Sequence, residues 1–208
     1  MLSGLLSSTY EITPGKLPAF VLAGQSNATG YTILEMARIL NKCGLPWTYV
    51  WDSHPGNQIQ QWYTATPHSN YNDLIAKIDA LSSSYEIRAI FWIQGEWDAL
   101  YGTTGTFQAY TENMFNAIIS HLGYQPDINI SKVWYAGSDS GIAANINTIR
   151  SLQDSIQSTY YISANRGGRT HDIKYYERFD DWHTDEPNYR MMAYNLLKEY
   201  AMYRMNLY

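Results

Sequence analysis

The sequence predicts an α/β fold in which helices cover both faces of a five-stranded parallel β-sheet. Two observations predict it. Short apolar runs of strand length alternate with segments in which apolar residues recur at helical spacing. Most of these apolar runs are followed by a polar segment rich in small residues. Because the strands of such a sheet point the same way, their carboxyl ends form one edge, and ligands bind there.

Five apolar runs have the length of buried strands. They comprise residues 19–23, 47–51, 88–93, 132–136 and 160–163. The first run is apolar throughout, as expected for a strand that is covered on both faces. Residues 165–172 contain Gly167 and Gly168 and have the composition of a loop.

Five helices alternate with these strands or follow them. The first begins at Thr32, which forms a capping-box pattern with Glu35, and ends at Gly44. The last runs from about Pro187, a residue that suits the first helical position, to about Tyr203. Apolar residues at helical spacing indicate the other three within residues 74–81, 107–122 and 142–156.

Length and composition predict one folded domain over residues 1–208, with residues 1–17 as an N-terminal extension. The net charge is −5 and the basic residues are not clustered, which argues against a nucleic-acid partner. No apolar stretch approaches the roughly 20 residues of a membrane span, and no signal peptide is recognisable. The lone Cys43 excludes an internal disulfide and a cysteine-based zinc site. Localisation and oligomeric state stay open.

A serine follows the first predicted strand directly. Ser26 stands within the segment Gly-Gln-Ser-Asn at residues 24–27. At a strand-to-helix turn, a serine hydroxyl can face solvent beside free backbone N–H groups, as a nucleophile requires. The Gly-x-Ser-x-Gly spacing of α/β-hydrolases is absent, so an ordinary turn is the alternative for this segment taken alone.

Polar segments also follow the second and third strands. Gly56 begins the segment Gly-Asn-Gln-Ile-Gln-Gln-Trp, and a glycine allows the backbone to approach a ligand closely. Residues 94–98 are Gln-Gly-Glu-Trp-Asp, and the amide donors of Gln94 suit a developing oxyanion. We expect Glu96 and Asp98 to shape this loop. The alternative for Gly56 is an ordinary turn glycine, and the alternative for residues 94–98 is a loop cap without a chemical role.

A carboxylate precedes one histidine at a suitable spacing. Asp180 lies three residues before His183, so its carboxylate can bond the imidazole Nδ1 and fix the tautomer. The adjacent Asp181 is the competing carboxylate, and the spacing favours Asp180. His171, beside Asp172, is the nearest competing histidine. A surface histidine without a chemical role is the alternative for His183.

Together and in this order, the four segments resemble those of the SGNH hydrolases, most closely the sialate O-acetylesterase and acetylxylan-esterase branch. That branch has Gly-Gln-Ser-Asn, Gly-x-x-Ile-x-x-Trp, Gln-Gly-Glu-x-Asp and Asp-x-x-His blocks. They correspond to residues 24–27, 56–62, 94–98 and 180–183. The resemblance implies a three-layer α/β/α, flavodoxin-like fold. Ala28 departs from the family, which often has Met there.

The resemblance also implies acyl transfer to water, with no metal and no cofactor. It makes Ser26 the nucleophile, His183 the base and Asp180 the carboxylate that orients the base. The backbone N–H groups of Ser26 and Gly56 and the Gln94 side chain would form the oxyanion hole. The candidate substrate-binding residues are Gln25, Asn57, Trp62, Glu96 and Trp97.

The expected substrate is an acetylated carbohydrate or another small ester. The blocks resemble the carbohydrate-deacetylating branch, and Trp62, Trp97 and Trp182 lie in or beside them, where aromatic faces could stack on a sugar. Two alternatives stay open: a carbohydrate-binding domain of adhesin or tail-fibre type with weak or no catalysis, and a lipid-directed esterase. The second needs an exposed apolar patch or a lid helix, which the sequence does not clearly show.

Overall fold

The computed structural model describes residues 14–44, 47–62, 69–160, 171–172, 180, 183 and 185–204. Within them lies a parallel sheet with the strand order β2-β1-β3-β4-β5. Its strands are β1 (Leu17–Gly24), β2 (Thr48–Ser53), β3 (Tyr85–Ile93), β4 (Asp127–Lys132) and β5 (His171–Asp172). This is the doubly wound, flavodoxin-like order, and it confirms the predicted fold class.

Helices pack on both faces of the sheet and give three layers. They are α1 (Gly30–Lys42), α2 (Asn70–Asp79), α3 (Glu96–Leu100), α4 (Thr104–Leu122), α5 (Ser140–Thr159) and α6 (Glu186–Arg204), with a 3₁₀ helix at Ile59–Trp62. Buried residues of α1 and α6 form one core with one face of the sheet, and those of α2, α4 and α5 form the other. Within the described part of the chain, no helix is long and apolar enough to cross a membrane.

The strand β1 separates the two cores. Phe20 and Leu22 pack with α1 and α6, whereas Ala19, Val21 and Ala23 face the opposite core. All of its residues after the first are buried. A strand buried on both faces requires a continuous apolar run, which explains why the prediction at residues 19–23 falls inside it.

The fourth strand lies before the apolar run that predicted it. Residues 132–136 were expected to form this strand, but β4 ends at residue 132. Its apolar residues Ile128 and Ile130 alternate with buried polar ones, a pattern that hides a buried strand. Asp127 is accommodated because the Tyr200 hydroxyl donates a hydrogen bond to its Oδ2 at 2.8 Å.

Other boundaries also differ from the sequence prediction. The short β5 lies inside residues 165–172, which were expected to form a loop. Of the strand predicted at residues 160–163, only Tyr160 is described, and it caps the end of α5. β1 begins at Leu17, the last residue of the predicted N-terminal extension, and residues 1–13 lie outside the described part. The short helix α3 occupies a segment that was expected to be a loop.

The first helix begins earlier than its predicted capping box. Its N-cap is Thr29, whose Oγ1 accepts a hydrogen bond from the Thr32 N–H at 3.2 Å. The carboxylate of Glu35 does not close a box with Thr32. It bonds Arg38 and the α6 residue Arg190 and so connects the two helices of one face.

The close approach of β1 and β3 at the site edge yields a prediction about Gly24. Its φ is +138°, and a Cβ there would lie 1.9 Å from the carbonyl oxygen of Ile93. We expect Gly24→Ala to lower the free energy of unfolding by about 3 kcal/mol or more, since backbone strain and steric overlap add. Gly123→Ala is the matched control, because its φ is +75° but its Cβ meets open space. It should cost about 1–2 kcal/mol. Equal losses in urea unfolding would contradict the steric argument.

Candidate active site

The turn after β1 presents one serine at the carboxyl edge of the sheet. The backbone N–H of Gln25 donates to the Ile93 carbonyl at 2.8 Å, and the Ser53 hydroxyl donates to the Gln25 carbonyl at 2.8 Å. These bonds fix the turn to the ends of β3 and β2. Gln25 and Asn27 are fully buried, whereas Ser26 between them is partly exposed. The turn therefore offers the Ser26 hydroxyl to a ligand.

The structure brings His183 and Asp180 to this serine. The Nε2 of His183 lies 2.8 Å from the Ser26 Oγ, and its Nδ1 lies 2.8 Å from the Asp180 Oδ2. The other oxygen of Asp180 accepts from the His183 backbone N–H at 2.6 Å. With a proton on Nδ1, the Nε2 can accept the serine proton. Asp181 and Trp182 lie outside the described residues.

A small cavity adjoins the serine and the histidine. Its volume is about 130 Å³, below the range of pockets that hold drug-sized ligands. It is lined by Gln25, Ser26, Glu96, Trp97, Leu100 and His183. The Trp97 ring is held by stacking on Tyr101, with centroids 5.1 Å apart and an interplanar angle of 12°. A cavity of this size accepts only a small group beside Ser26.

The side chain of Gln94 has no donor left for a substrate. It is fully buried, and its Nε2 donates to the Asn57 carbonyl and to the Asp98 Oδ2, each at 3.0 Å. Both amide N–H groups are thus committed within the protein, and Gln94 does not line the cavity beside Ser26. This corrects the expectation that Gln94 contributes to an oxyanion hole.

Asp98 is a buried acceptor that fixes the loop after β2. Its carboxylate accepts hydrogen bonds from the Ile59 N–H at 3.1 Å and from the Thr103 hydroxyl at 3.1 Å, besides the bond from Gln94. Burial raises the pKa of Asp98 to about 6, although these three hydrogen bonds oppose the shift. Asp98 therefore shapes the loop, as the sequence predicts, at a cost to stability.

Two of the predicted sugar contacts are absent from the cavity. The Trp62 ring is fully buried and packs edge-on against Trp92, with centroids 4.8 Å apart. It belongs to the core, so its predicted role in substrate binding is wrong. Asn57 uses its carbonyl for Gln94 and its Nδ2 for Asn70 at 3.3 Å. It does not line the cavity either.

Sequence reasoning missed the buried bridge made by Asn27. Its Nδ2 donates to the Glu96 Oε1 at 2.9 Å, and its Oδ1 accepts from the Tyr189 hydroxyl at 2.8 Å. The bridge joins the serine turn to α3 and α6. Asn27 is part of the Gly-Gln-Ser-Asn block, which was the available signal, but nothing local in the sequence pairs it with Tyr189.

Three N–H donors of residues 25, 26 and 56 have no acceptor among the described residues. No described residue accepts a hydrogen bond from the backbone N–H of Ser26 or of Gly56. Gly56 has a φ of +76°, and a Cβ there would lie 3.4 Å from the Trp97 Nε1. The side chain of Gln25 accepts from the Gly95 N–H at 2.7 Å through Oε1, while its buried Nε2 has no partner among the described residues.

The strand order and the place of the blocks at its carboxyl edge are those of a fold that a putative SGNH hydrolase from Slackia heliotrinireducens shares, with a TM-score of 0.57 at 11% identity. The family model for the carbohydrate esterases described as sialic acid-specific acetylesterase matches residues 41–201. The chain belongs to this family and is a carboxylic ester hydrolase. The matched part includes Gly56 and His183 but begins after Ser26. No curated protein sequence matches the chain significantly.

Solved structures share the fold at low identity. A protein from Arabidopsis thaliana gives a TM-score of 0.69 at 13% identity, over 89% of this chain and 98% of its own. A carbohydrate acetylesterase from Xanthomonas citri gives a TM-score of 0.62 at 18% identity, over 84% of this chain and 41% of its own. NanS gives a TM-score of 0.64 at 12% identity, over 94% of this chain and 98% of its own. At these identities the likeness establishes the fold alone.

The raised pKa of Asp98 makes stability pH-dependent. The Asp98 carboxyl has a pKa of about 6 in the folded protein, against an ordinary pKa of 3.8 in the unfolded chain. Between pH 4 and 6, the folded state therefore binds more protons than the unfolded state. Stability should therefore fall as the pH rises through this window. Relative to Asp98→Asn, which does not titrate there, the wild-type free energy of unfolding should drop by on the order of 3 kcal/mol from pH 4 to 7. The free energy of unfolding of both proteins is measured by urea unfolding at several pH values. The same dependence on pH in the wild type and in Asp98→Asn would exclude this effect.

Proposed function

We propose that this chain hydrolyses O-acetyl esters of a carbohydrate through a nucleophilic Ser26. The observation that carries the proposal is the line of contacts from the Ser26 Oγ through His183 to the Asp180 Oδ2, each 2.8 Å long. Such a line activates a serine for acyl transfer. The description of the family supports an acetyl group on a carbohydrate as the target.

In the first step, the Ser26 Oγ attacks the ester carbonyl carbon while the His183 Nε2 takes its proton. Asp180 accepts the Nδ1–H and stabilises the imidazolium that forms. The tetrahedral intermediate then breaks its bond to the sugar oxygen, which takes the proton from Nε2 and leaves as an alcohol. In the second step, His183 deprotonates a water that attacks the acetyl-serine. Acetate leaves, and Ser26 regains its proton.

We expect the oxyanion to bind the backbone N–H groups of Ser26 and Gly56 and the side-chain Nε2 of Gln25. Gly56 lies against Trp97, which lines the cavity together with Ser26. Gln25 replaces Gln94 as the side-chain donor, because its Nε2 is buried without a partner and it lines the same cavity. A buried donor without a partner costs about 1–3 kcal/mol, and a substrate oxygen would remove this cost.

The size of the cavity favours a short acyl group. The cavity of about 130 Å³ beside Ser26, with Trp97 and Leu100 among its described walls, is small for a long acyl chain. This weighs against an esterase that binds a lipid through its acyl chain. A carbohydrate-binding domain without catalysis would not require the His183–Asp180 contact aimed at a half-buried serine, and this contact favours the enzyme.

Replacing the nucleophile tests the mechanism. Ser26→Ala should lower the release of acetate from an O-acetylated xyloside by about 10⁴-fold or more. Asp180→Asn should lower kcat by about 10³–10⁴-fold, because the imidazole loses its orienting acceptor. Ser151→Ala, on the exposed side of α5, is the control and should keep full activity. Acetate release by folded Ser26→Ala at the wild-type rate would exclude the proposed mechanism.

The donor role of Gln25 has a separate test. Gln25→Glu keeps an oxygen for the Gly95 N–H but loses the free amide donor, whereas Gln25→Met loses both. Both variants should lower kcat by about 10²-fold, the usual cost of one oxyanion donor. Both variants should also lower the melting temperature, Gln25→Met because it leaves the buried Gly95 N–H unpaired and Gln25→Glu because it buries a carboxyl group, so kcat is compared at a temperature where both are folded. An unchanged kcat in Gln25→Glu would show that the oxyanion does not bind this side chain.

A further inference from the structure

We propose that an aromatic shelf beside His183 binds the alcohol part of the substrate, and that this part is a neutral sugar ring. The shelf is the wall of an open groove of about 640 Å³ next to the small cavity. Besides His183, the groove is lined by Thr29, Gly30, Tyr31, Leu34, Trp51 and Tyr189. The inference rests on the proposed esterase function and adds to it the place and the chemistry of the leaving group.

His183 connects the small cavity to the groove. It is the one described residue that lines both of them. During ester cleavage, the protonated Nε2 of His183 must reach the oxygen of the leaving alcohol. The acyl group fits the small cavity beside Ser26, so the alcohol extends past the imidazole. We assign the groove to the alcohol because it shares His183 with the small cavity.

The shelf presents apolar rings to solvent. Tyr31 is 48% exposed, Trp51 is 44% exposed and Leu34 is 61% exposed. An exposed cluster of large apolar side chains next to a reactive group usually marks a binding site. The rings of Tyr31 and Tyr189 stack with an interplanar angle of 16° and centroids 6.5 Å apart.

The shelf is anchored to the serine turn at two points. The Nε1 of Trp51 donates to the Ala28 carbonyl at 2.8 Å, and the hydroxyl of Tyr189 donates to the Asn27 Oδ1 at 2.8 Å. The Trp51 ring also packs on Gly30, where a Cβ would lie 3.4 Å from its Cη2. The rings are thus held in a fixed position relative to the nucleophile, as a subsite for the same substrate requires.

The chemistry of the lining selects a neutral sugar. A pyranose ring has an apolar face of C–H groups that packs on aromatic rings, and its hydroxyls stay in water. An anionic sugar such as a sialic acid needs Arg or Lys to bind its carboxylate. Among the described lining residues, His183 is the only one that can carry a positive charge, and its Nε2 is directed at Ser26.

Two shelf variants test this inference. Trp51→Ala and Tyr31→Ala should each lower kcat/KM for an O-acetylated xyloside by about tenfold, mainly through KM. The ratio of kcat/KM for the xyloside to kcat/KM for ethyl acetate should fall with it, because the alcohol of ethyl acetate is too small to reach the rings. Tyr194→Ala is the control, because Tyr194 is as exposed as Tyr31 but lines neither the groove nor the small cavity. It should leave kcat/KM unchanged for both substrates. Melting curves that resemble that of the wild type show that the variants are folded.

The failures of the two proposals differ in what they change. If the wild type releases no acetate from any sugar, or if release persists in Ser26→Ala, the proposed function fails. If release depends on Ser26 but both shelf variants keep the wild-type KM for the xyloside, the shelf proposal alone fails. A shelf-dependent preference for octyl acetate over the xyloside would assign the groove to an alkyl chain and overturn it. Faster hydrolysis of O-acetylated N-acetylneuraminic acid than of the xyloside would overturn the neutral-sugar part.

Discussion

The hydrogen bonds of Gln25 hold the site together. Its backbone N–H and carbonyl bond Ile93 and Ser53 on the two neighbouring strands, and its side-chain oxygen bonds the Gly95 N–H. One residue thus connects the ends of three parallel strands. The position of Ser26 follows from these bonds, because it is the next residue in the turn. The rest of the site, which lies on loops, is built around this fixed point.

Buried polar groups around the site keep the surrounding loops in place. Gln94 and Asp98 bind the loop after β2, and Asn27 joins the serine turn to Glu96 and Tyr189. Such groups stabilise a single arrangement only when their partners are satisfied. The raised pKa of Asp98 shows that the arrangement has a cost in free energy. Such a loss of stability is common at functional sites, where the position of a loop matters for the reaction.

What could be predicted from the sequence depends on local order along the chain. The buried strand β1, Ser26 after it and the spacing before His183 are local patterns, and the structure brings both residues to one point. The direction of a side chain is set by residues distant in the sequence. For this reason, neither the burial of the Trp62 ring in the core nor the hydrogen bond from Gln94 to Asp98 could be predicted. The exposure of Trp51 was hidden for the same reason, because an apolar run does not show that its strand lies at the edge of the sheet.

Ser26 and His183 are 157 positions apart in the chain. During translation, the serine is added directly after β1, but the histidine is added only after all five strands of the described sheet have been made. The emerging protein is therefore inert toward esters until His183 reaches Ser26. The same dependence applies on heating: loss of the contact between Ser26 and His183 stops hydrolysis even where the sheet persists.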